Sequence, residues 1–128
     1  MKVIYPAVFH REGDGYWADF PDLEGCQSFG SDIEDTLSNL REALEGYVIS
    51  LIENNETVPS PSDISDITDL DGGEFVTLVD ADLSAYANRS KAVKKTLTIP
   101  EWLNEAAIRQ NLNFSQILQD ALLTKLAR

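Results

Sequence analysis

The sequence is 128 residues long, 43% hydrophobic and 25% charged, a composition that excludes disordered and fibrous chains and suits a folded one. Its formal net charge of -12 is uneven: residues 1–90 hold 19 Asp/Glu against 4 Lys/Arg, while residues 91–128 hold 3 against 6. The acidic part is repelled by a phosphate backbone and suits a basic partner, the basic end leaves room for nucleic acid, and no apolar run approaches the ~18 residues of a membrane span.

A single cysteine, Cys26, allows no internal disulfide, so a reducing compartment, the cytoplasm, is expected. One His and one Cys leave a zinc site short of its usual ligands, so neither metal nor cofactor is expected. The N-terminus shows no signal-peptide pattern and goes straight into a strand over residues 2–11. Val3, Tyr5, Ala7 and Phe9 alternate there with Lys2, Ile4, Val8 and His10. Both sets contain apolar side chains, so this strand should be central. Glu12-Gly13-Asp14-Gly15 reads as a hairpin turn with two glycines available for positive φ. The strand returns through residues 16–20, with Tyr16, Ala18 and Phe20 on one face. A loop bracketed by Pro21 and Gly25 leads to a short third strand, Cys26 to Gly30. Ser31 and Glu34 form a capping box ahead of a helix over 32–54. Its apolar stripe is Ile33, Leu37, Leu40, Leu44, Tyr47, Val48 and Leu51. Residues 57–73, with Pro59, Pro61, four aspartates and Gly72-Gly73, read as a long loop. A fourth strand follows at 74–81. The order β-β-β-α-β predicts a small α+β domain with its helix on one face of the sheet. Residues 82–91 read as a short helix or linker, and the charge changes sign just after it. The domain boundary therefore falls near residue 90, giving domains 1–90 and 91–128.

In the second domain, Val93, Leu97 and Ile99, with Lys95 as the odd member of their set, alternate with Lys94, Thr96 and Thr98 until Pro100 stops the strand. Two amphipathic helices follow. The first runs from Glu101 to Gln110 with Leu103, Ala106 and Ala107 inward, and Asn111 can end it in the left-handed conformation. Asn113 caps the second, whose apolar side is Phe114, Ile117, Leu118, Ala121, Leu122 and Leu126. A lone strand leaves half its backbone groups unpaired, and about forty residues bury too little to fold alone. Pairing with the same strand of a second copy answers both problems and makes a homodimer, or a tetramer if the N-terminal sheet also self-associates. The resulting ribbon would present Lys94, Thr96 and Thr98 of each chain to the major groove of DNA. Asn113, Phe114 and Ser115, at a helix N-terminus, are candidates for phosphate contact. Trp102, beside Leu103, is expected to pack at the dimer seam.

Two stretches resemble known families. From Val93 to Leu126 the chain resembles the ribbon-helix-helix DNA-binding domain, through Lys94-Lys95-Thr96-Leu97-Thr98-Ile99-Pro100-Glu101-Trp102-Leu103 and then Asn111-Leu112-Asn113-Phe114-Ser115-Gln116-Ile117-Leu118. Residues 3–54 are similar to the N-terminal domain of the HicB antitoxins. The matching pieces are Tyr5-Pro6-Ala7, Asp14-Gly15-Tyr16-Trp17, Phe20-Pro21-Asp22-Leu23-Glu24-Gly25-Cys26, Phe29-Gly30 and Glu42-Ala43-Leu44. The resemblance implies the antitoxin of a type II HicA/HicB toxin-antitoxin system. It implies an N-terminal domain with a degenerate ribonuclease H-like fold that binds and occludes HicA, a small basic ribonuclease that cleaves mRNA. It also implies a C-terminal domain that dimerises, binds operator DNA and represses the operon. No catalysis by this chain is expected.

On that reading Asp14, Asp19, Asp22 and Glu24 face the basic toxin, and Trp17 anchors it. Tyr16 belongs to the sheet core, and Cys26 is a small buried hydrophobe. His10 has no identifiable orienting partner. Two other functions compete. One is a stand-alone repressor whose N-terminal domain senses a ligand. The other is a working nuclease using the same carboxylates, which needs them to converge on one point.

Overall fold

The computed structural model describes residues 1–88 and 91–127, and in it the N-terminal hairpin supplies the middle of the sheet. Strand β1 (Lys2–Glu12) pairs antiparallel with β2 (Gly15–Asp19) on one side and β4 (Phe75–Asp82) on the other. Strand β3 (Gln27–Gly30) pairs with β2, giving the order β3-β2-β1-β4. The expected central position of the first strand holds: Tyr5 through Phe9 are all buried. Pro6 is tolerated in this central strand because β2 pairs only with Val8–Glu12. On the side away from β4, Pro6 therefore faces no partner that needs its missing N–H.

Gly13 supplies the positive φ of the hairpin, at 59°. Gly15 does not: it is needed for space, since a Cβ there would lie 2.6 Å from the Gly30 carbonyl oxygen. A Cβ on Gly30 would in turn lie 2.4 Å from the Thr36 amide nitrogen, so this pair lets β2, β3 and the following helix approach closely.

Helix α1 (Ile33–Glu53) covers one face of the sheet. Its cap differs from expectation by one residue. Asp32, not Ser31, is the N-cap and accepts from the Asp35 N–H at 2.7 Å. The Asp35 carboxylate reaches back past the cap to accept from the Ser31 N–H at 3.0 Å, so Asp35 rather than Glu34 closes the helix start. The buried stripe is also rotated. Ile33 is exposed, and Thr36 is buried with its hydroxyl donating to the Asp32 carbonyl at 2.7 Å. Leu40, Leu44, Val48 and Ile49 continue the stripe onto Tyr5, Phe9, Ala18, Phe20 and Val79. Burying each such large side chain contributes about 1.5–3 kcal/mol. Tyr16 packs edge-on to Phe9 and Phe75, as expected of a core residue. Cys26 is buried, and burial pushes its thiol up to about 11.

The 57–73 loop contains one 3₁₀ turn (Ile64–Asp66) and is tied across the end of the sheet. Tyr5 donates its hydroxyl to the Pro59 carbonyl, and Ser62 donates its N–H and hydroxyl to Asp22. Helix α2 (Leu83–Asn88) follows β4 directly. The domain boundary expected near residue 90 lies outside the described residues. Residues 91–100 are exposed and in no helix or strand, so the expected C-terminal strand is not formed and pairs with nothing among the described residues. Helices α3 (Glu101–Arg109) and α4 (Phe114–Leu126) complete the fold. No helix among the described residues is long and apolar enough to cross a membrane.

Helix α4 docks on α2 at a polar node. Ser84 donates its hydroxyl to the Asp120 carboxylate, the Gln116 side-chain amide donates to Asp120 at 3.2 Å, and the Met1 ammonium lies 3.2 Å from Asp120. Leu123 of α4 reaches the edge of the core.

Candidate functional site

The alternation of β1 sends Val3, Tyr5, Ala7 and Phe9 toward α1 and His10 and Glu12 to the opposite face. The register His10↔Trp17↔Phe29 then lays three rings in one row across β1, β2 and β3, with Val8↔Asp19↔Gln27 as the next row. His10 stacks on Trp17, ring centroids 3.8 Å apart and planes inclined by 13°. Its Nε2 lies 2.8 Å from Asp19 Oδ1, and its Nδ1 hydrogen-bonds to Glu74 Oε2. Glu74 is held below the usual carboxylate range, first by the Asp71 N–H and then by His10. An open cleft of ≈ 340 Å³ adjoins this group, walled by Asp66, Thr68 and Asp69.

The structure thus gives His10 the partners that sequence reasoning did not find. Half of this was within reach: the hairpin register puts Trp17 opposite His10, and Asp19 lies two residues further along the same face. Glu74 was not, because it arrives from the residue just before β4, 64 residues away.

The five residues proposed for partner contact do not form one cluster. Trp17 and Asp19 meet at His10. Asp14 is exposed in the hairpin turn, and Glu24 is exposed in the next loop, where its carbonyl accepts from the Tyr47 hydroxyl at 2.9 Å. Asp22 is taken up by Ser62. Among the described residues no group of three or more His, Cys, Asp or Glu side chains is arranged to hold a metal ion.

At the other end of the chain, Lys94, Thr96 and Thr98 are exposed on the segment before α3, and so are Val93, Leu97 and Ile99 between them. Asn113 caps α4, its side chain accepting from the Gln116 N–H at 3.0 Å. Phe114 and Ser115 occupy the first turn and are exposed. Their N–H groups are among those that helix geometry leaves without an intrahelical acceptor. The apolar side expected of α4 faces outward: Phe114, Ile117, Leu122 and Leu126 are 41–59% exposed. The helix docks on the body through the opposite stripe, Gln116, Asp120 and Leu123. Helix α3 buries no residue, and Trp102 is 69% exposed in the single chain.

A protein of 14.9 kDa from the rep-hol intergenic region of Haemophilus phage HP1, described as uncharacterised, is 31% identical over 103 residues, covering 79% of this chain and 76% of its own length. Among solved structures, a toxin-antitoxin complex from Streptococcus pneumoniae contains a chain 33% identical to this one, with a TM-score of 0.63 over 98% of this chain and 99% of that one. A chain of the HicA3 and HicB3 toxin-antitoxin complex is 27% identical, with a TM-score of 0.54 over 62% of this chain and 99% of that one. The family described as HicB-like antitoxin of bacterial toxin-antitoxin systems matches residues 5–125. The mixed fold, an antiparallel sheet with helices, is therefore that of the HicB antitoxins, and the chain belongs to the HicB-like antitoxin family of bacterial toxin-antitoxin systems.

Proposed function

We propose that this chain is a two-part antitoxin: residues 1–90 bind and occlude a HicA-type toxin, and residues 91–128 pair with a second copy to bind operator DNA and repress the operon. The observation that carries the second half is the state of residues 91–126. An exposed segment with no strand partner among the described residues is followed by two helices whose apolar faces are open. A second copy placed antiparallel would pair the two segments as a ribbon and cover Leu97, Ile99, Leu103, Ile117 and Leu122 together. Such a ribbon-helix-helix dimer turns Lys94, Thr96 and Thr98 of both chains to one polar face, which fits the major groove. The N-terminus of α4, with Asn113, Phe114 and Ser115, then meets backbone phosphate. Trp102 is assigned to the seam between the copies.

The first half rests on charge and kinship. The acidic body complements a basic protein, and two of the similar structures are toxin-antitoxin complexes. Occlusion needs no chemistry from this chain, so the N-terminal unit is read as a degenerate ribonuclease H-like fold that acts by binding.

The test is co-expression with the product of the adjacent reading frame, followed by a mass measurement on the purified complex and a gel-shift titration with the upstream DNA. A stable complex containing two copies of this chain, which retards the upstream fragment, is the expected result. A chain that stays monomeric at high concentration overturns the C-terminal assignment. A dimer that binds DNA but ignores the neighbouring protein favours the stand-alone, ligand-sensing repressor instead.

A further inference from the structure

We infer that the row Trp17–Phe29, with Glu12 at its rim, is the anchor point for the basic partner, and that it receives an arginine side chain. The inference rests on the toxin-binding reading above and names the surface that does it.

Phe29 is 75% exposed on the outer face of β3, a four-residue edge strand. So exposed an aromatic contributes little to the fold and leaves a large apolar ring in water. Trp17, its cross-strand partner, is held differently. One face of its indole is covered by the His10 ring, which Asp19 and Glu74 fix from two sides. Because His10 lies on the β1 side, the other indole face looks toward β3. Trp17, Phe29, Gln27 and Glu12 line an open concavity of ≈ 580 Å³.

At this edge the Phe29 carbonyl already accepts from the Asn39 side-chain amide at 2.8 Å, which leaves one acceptor fewer for an added strand. The exposed side chains are the larger surface on offer. Two π-faces beside a carboxylate suit a planar guanidinium, which lies on aromatic rings and donates to acids at the same time. The charge agrees: the body carries 19 acidic against 4 basic residues, so its partner is basic. Anchors of this kind, aromatic on one side and arginine on the other, dominate binding energy at protein interfaces.

The experiment titrates the purified chain with the basic protein from the adjacent reading frame and follows melting temperature in parallel. Phe29→Ala is expected to weaken binding about 10-fold or more while the melting temperature stays put. Phe29→Leu, which keeps apolar area but loses the π-face, is expected to lose most of that factor, and Phe29→Tyr to retain binding. Glu12→Gln is expected to cost a few-fold and to flatten the dependence on salt. Phe29→Ala binding within about 2-fold of the parent overturns the anchor assignment, and Phe29→Leu binding like the parent overturns the arginine. Weakened binding that comes with a lowered melting temperature also overturns it, since Phe29 would then be a folding residue. If the parent chain itself fails to bind, the toxin-binding reading falls first.

Discussion

Helices α1 and α4 are both amphipathic, yet they treat their leucines in opposite ways. In α1, Leu40 and Leu44 have no exposed surface, because four strands and the returning β4–α2 corner close over them. In α4, Leu122 and Ile117 are about half exposed, and the helix touches the body through a glutamine, an aspartate and one leucine. Nothing in local propensity separates the two helices. What differs is where the complementary apolar surface comes from. The body makes its own from strands far apart in sequence, whereas the last forty residues have too few elements to cover themselves. The contrast teaches that an apolar stripe records a surface to be covered, not the molecule that covers it.

The sharpest way to break that contrast is to shorten one leucine on each helix. Leu44→Ala should cost about 2–5 kcal/mol of unfolding free energy, measured by urea denaturation, because a cavity is left in a closed core. Leu122→Ala should change the same transition by no more than about 0.5 kcal/mol in the monomer. It should instead weaken self-association, read as a steeper dependence of mass on concentration. Comparable unfolding losses at the two positions would show that the C-terminal helix shares the core of the body after all.

A second pair of changes tests function on the exposed side of the same contrast. Thr96→Ala with Thr98→Ala removes two exposed side chains, so stability should hold. Operator affinity should fall by about 1–3 kcal/mol in a gel-shift titration if these residues read base edges. Unchanged affinity would take residues 94–98 out of the groove and leave their polar side chains as plain solvated surface.

The two regions were also unequally legible from sequence. The hairpin and the central strand could be read because period-two alternation and a glycine turn are local signals, and β1 and β2 pair across two residues. The long helix could be read from its leucines, but its cap could not be fixed to the residue. Ser31, Asp32, Glu34 and Asp35 offer overlapping caps one residue apart, and the structure uses Asp32 with Asp35. The His10 group was hidden because Glu74 reaches it through β1–β4 pairing, which nothing within a few residues announces. The acids at 14, 19, 22 and 24 looked like one cluster because they are close in sequence. Strand alternation and the loop after β2 send them to different places, and Asp22 is consumed by the 57–73 loop.

The cap itself offers a smaller test. Asp32→Ala removes the side-chain acceptor for the Asp35 N–H and should cost about 1 kcal/mol. The loss should appear in the body's unfolding transition and leave self-association alone, since α1 lies wholly within the body. A change in dimer mass with no change in unfolding would mean that the two regions are coupled through α1.

The smallest expected effect lies at the seam between the regions. Asp120 is held below the usual carboxylate range, first by the Ser84 hydroxyl and then by the Met1 ammonium. A carboxylate depressed in the folded state stabilises it above the ordinary carboxylate pKa, and that contribution is lost as pH falls through the folded value. The tie between α4 and α2 should therefore hold at neutral pH and loosen below about pH 4. Hydrogen exchange reads this element by element. Asp120→Asn keeps a hydrogen-bond acceptor for Ser84 but removes the charge. Amides of α4 should exchange faster in the variant than in the parent at neutral pH, with α1 unchanged, and the difference should shrink as the parent's own carboxylate is protonated. A difference that stayed constant down through that range would mean that Asp120 acts by shape alone. The ammonium and hydroxyl would then be bystanders at a seam held by Leu123.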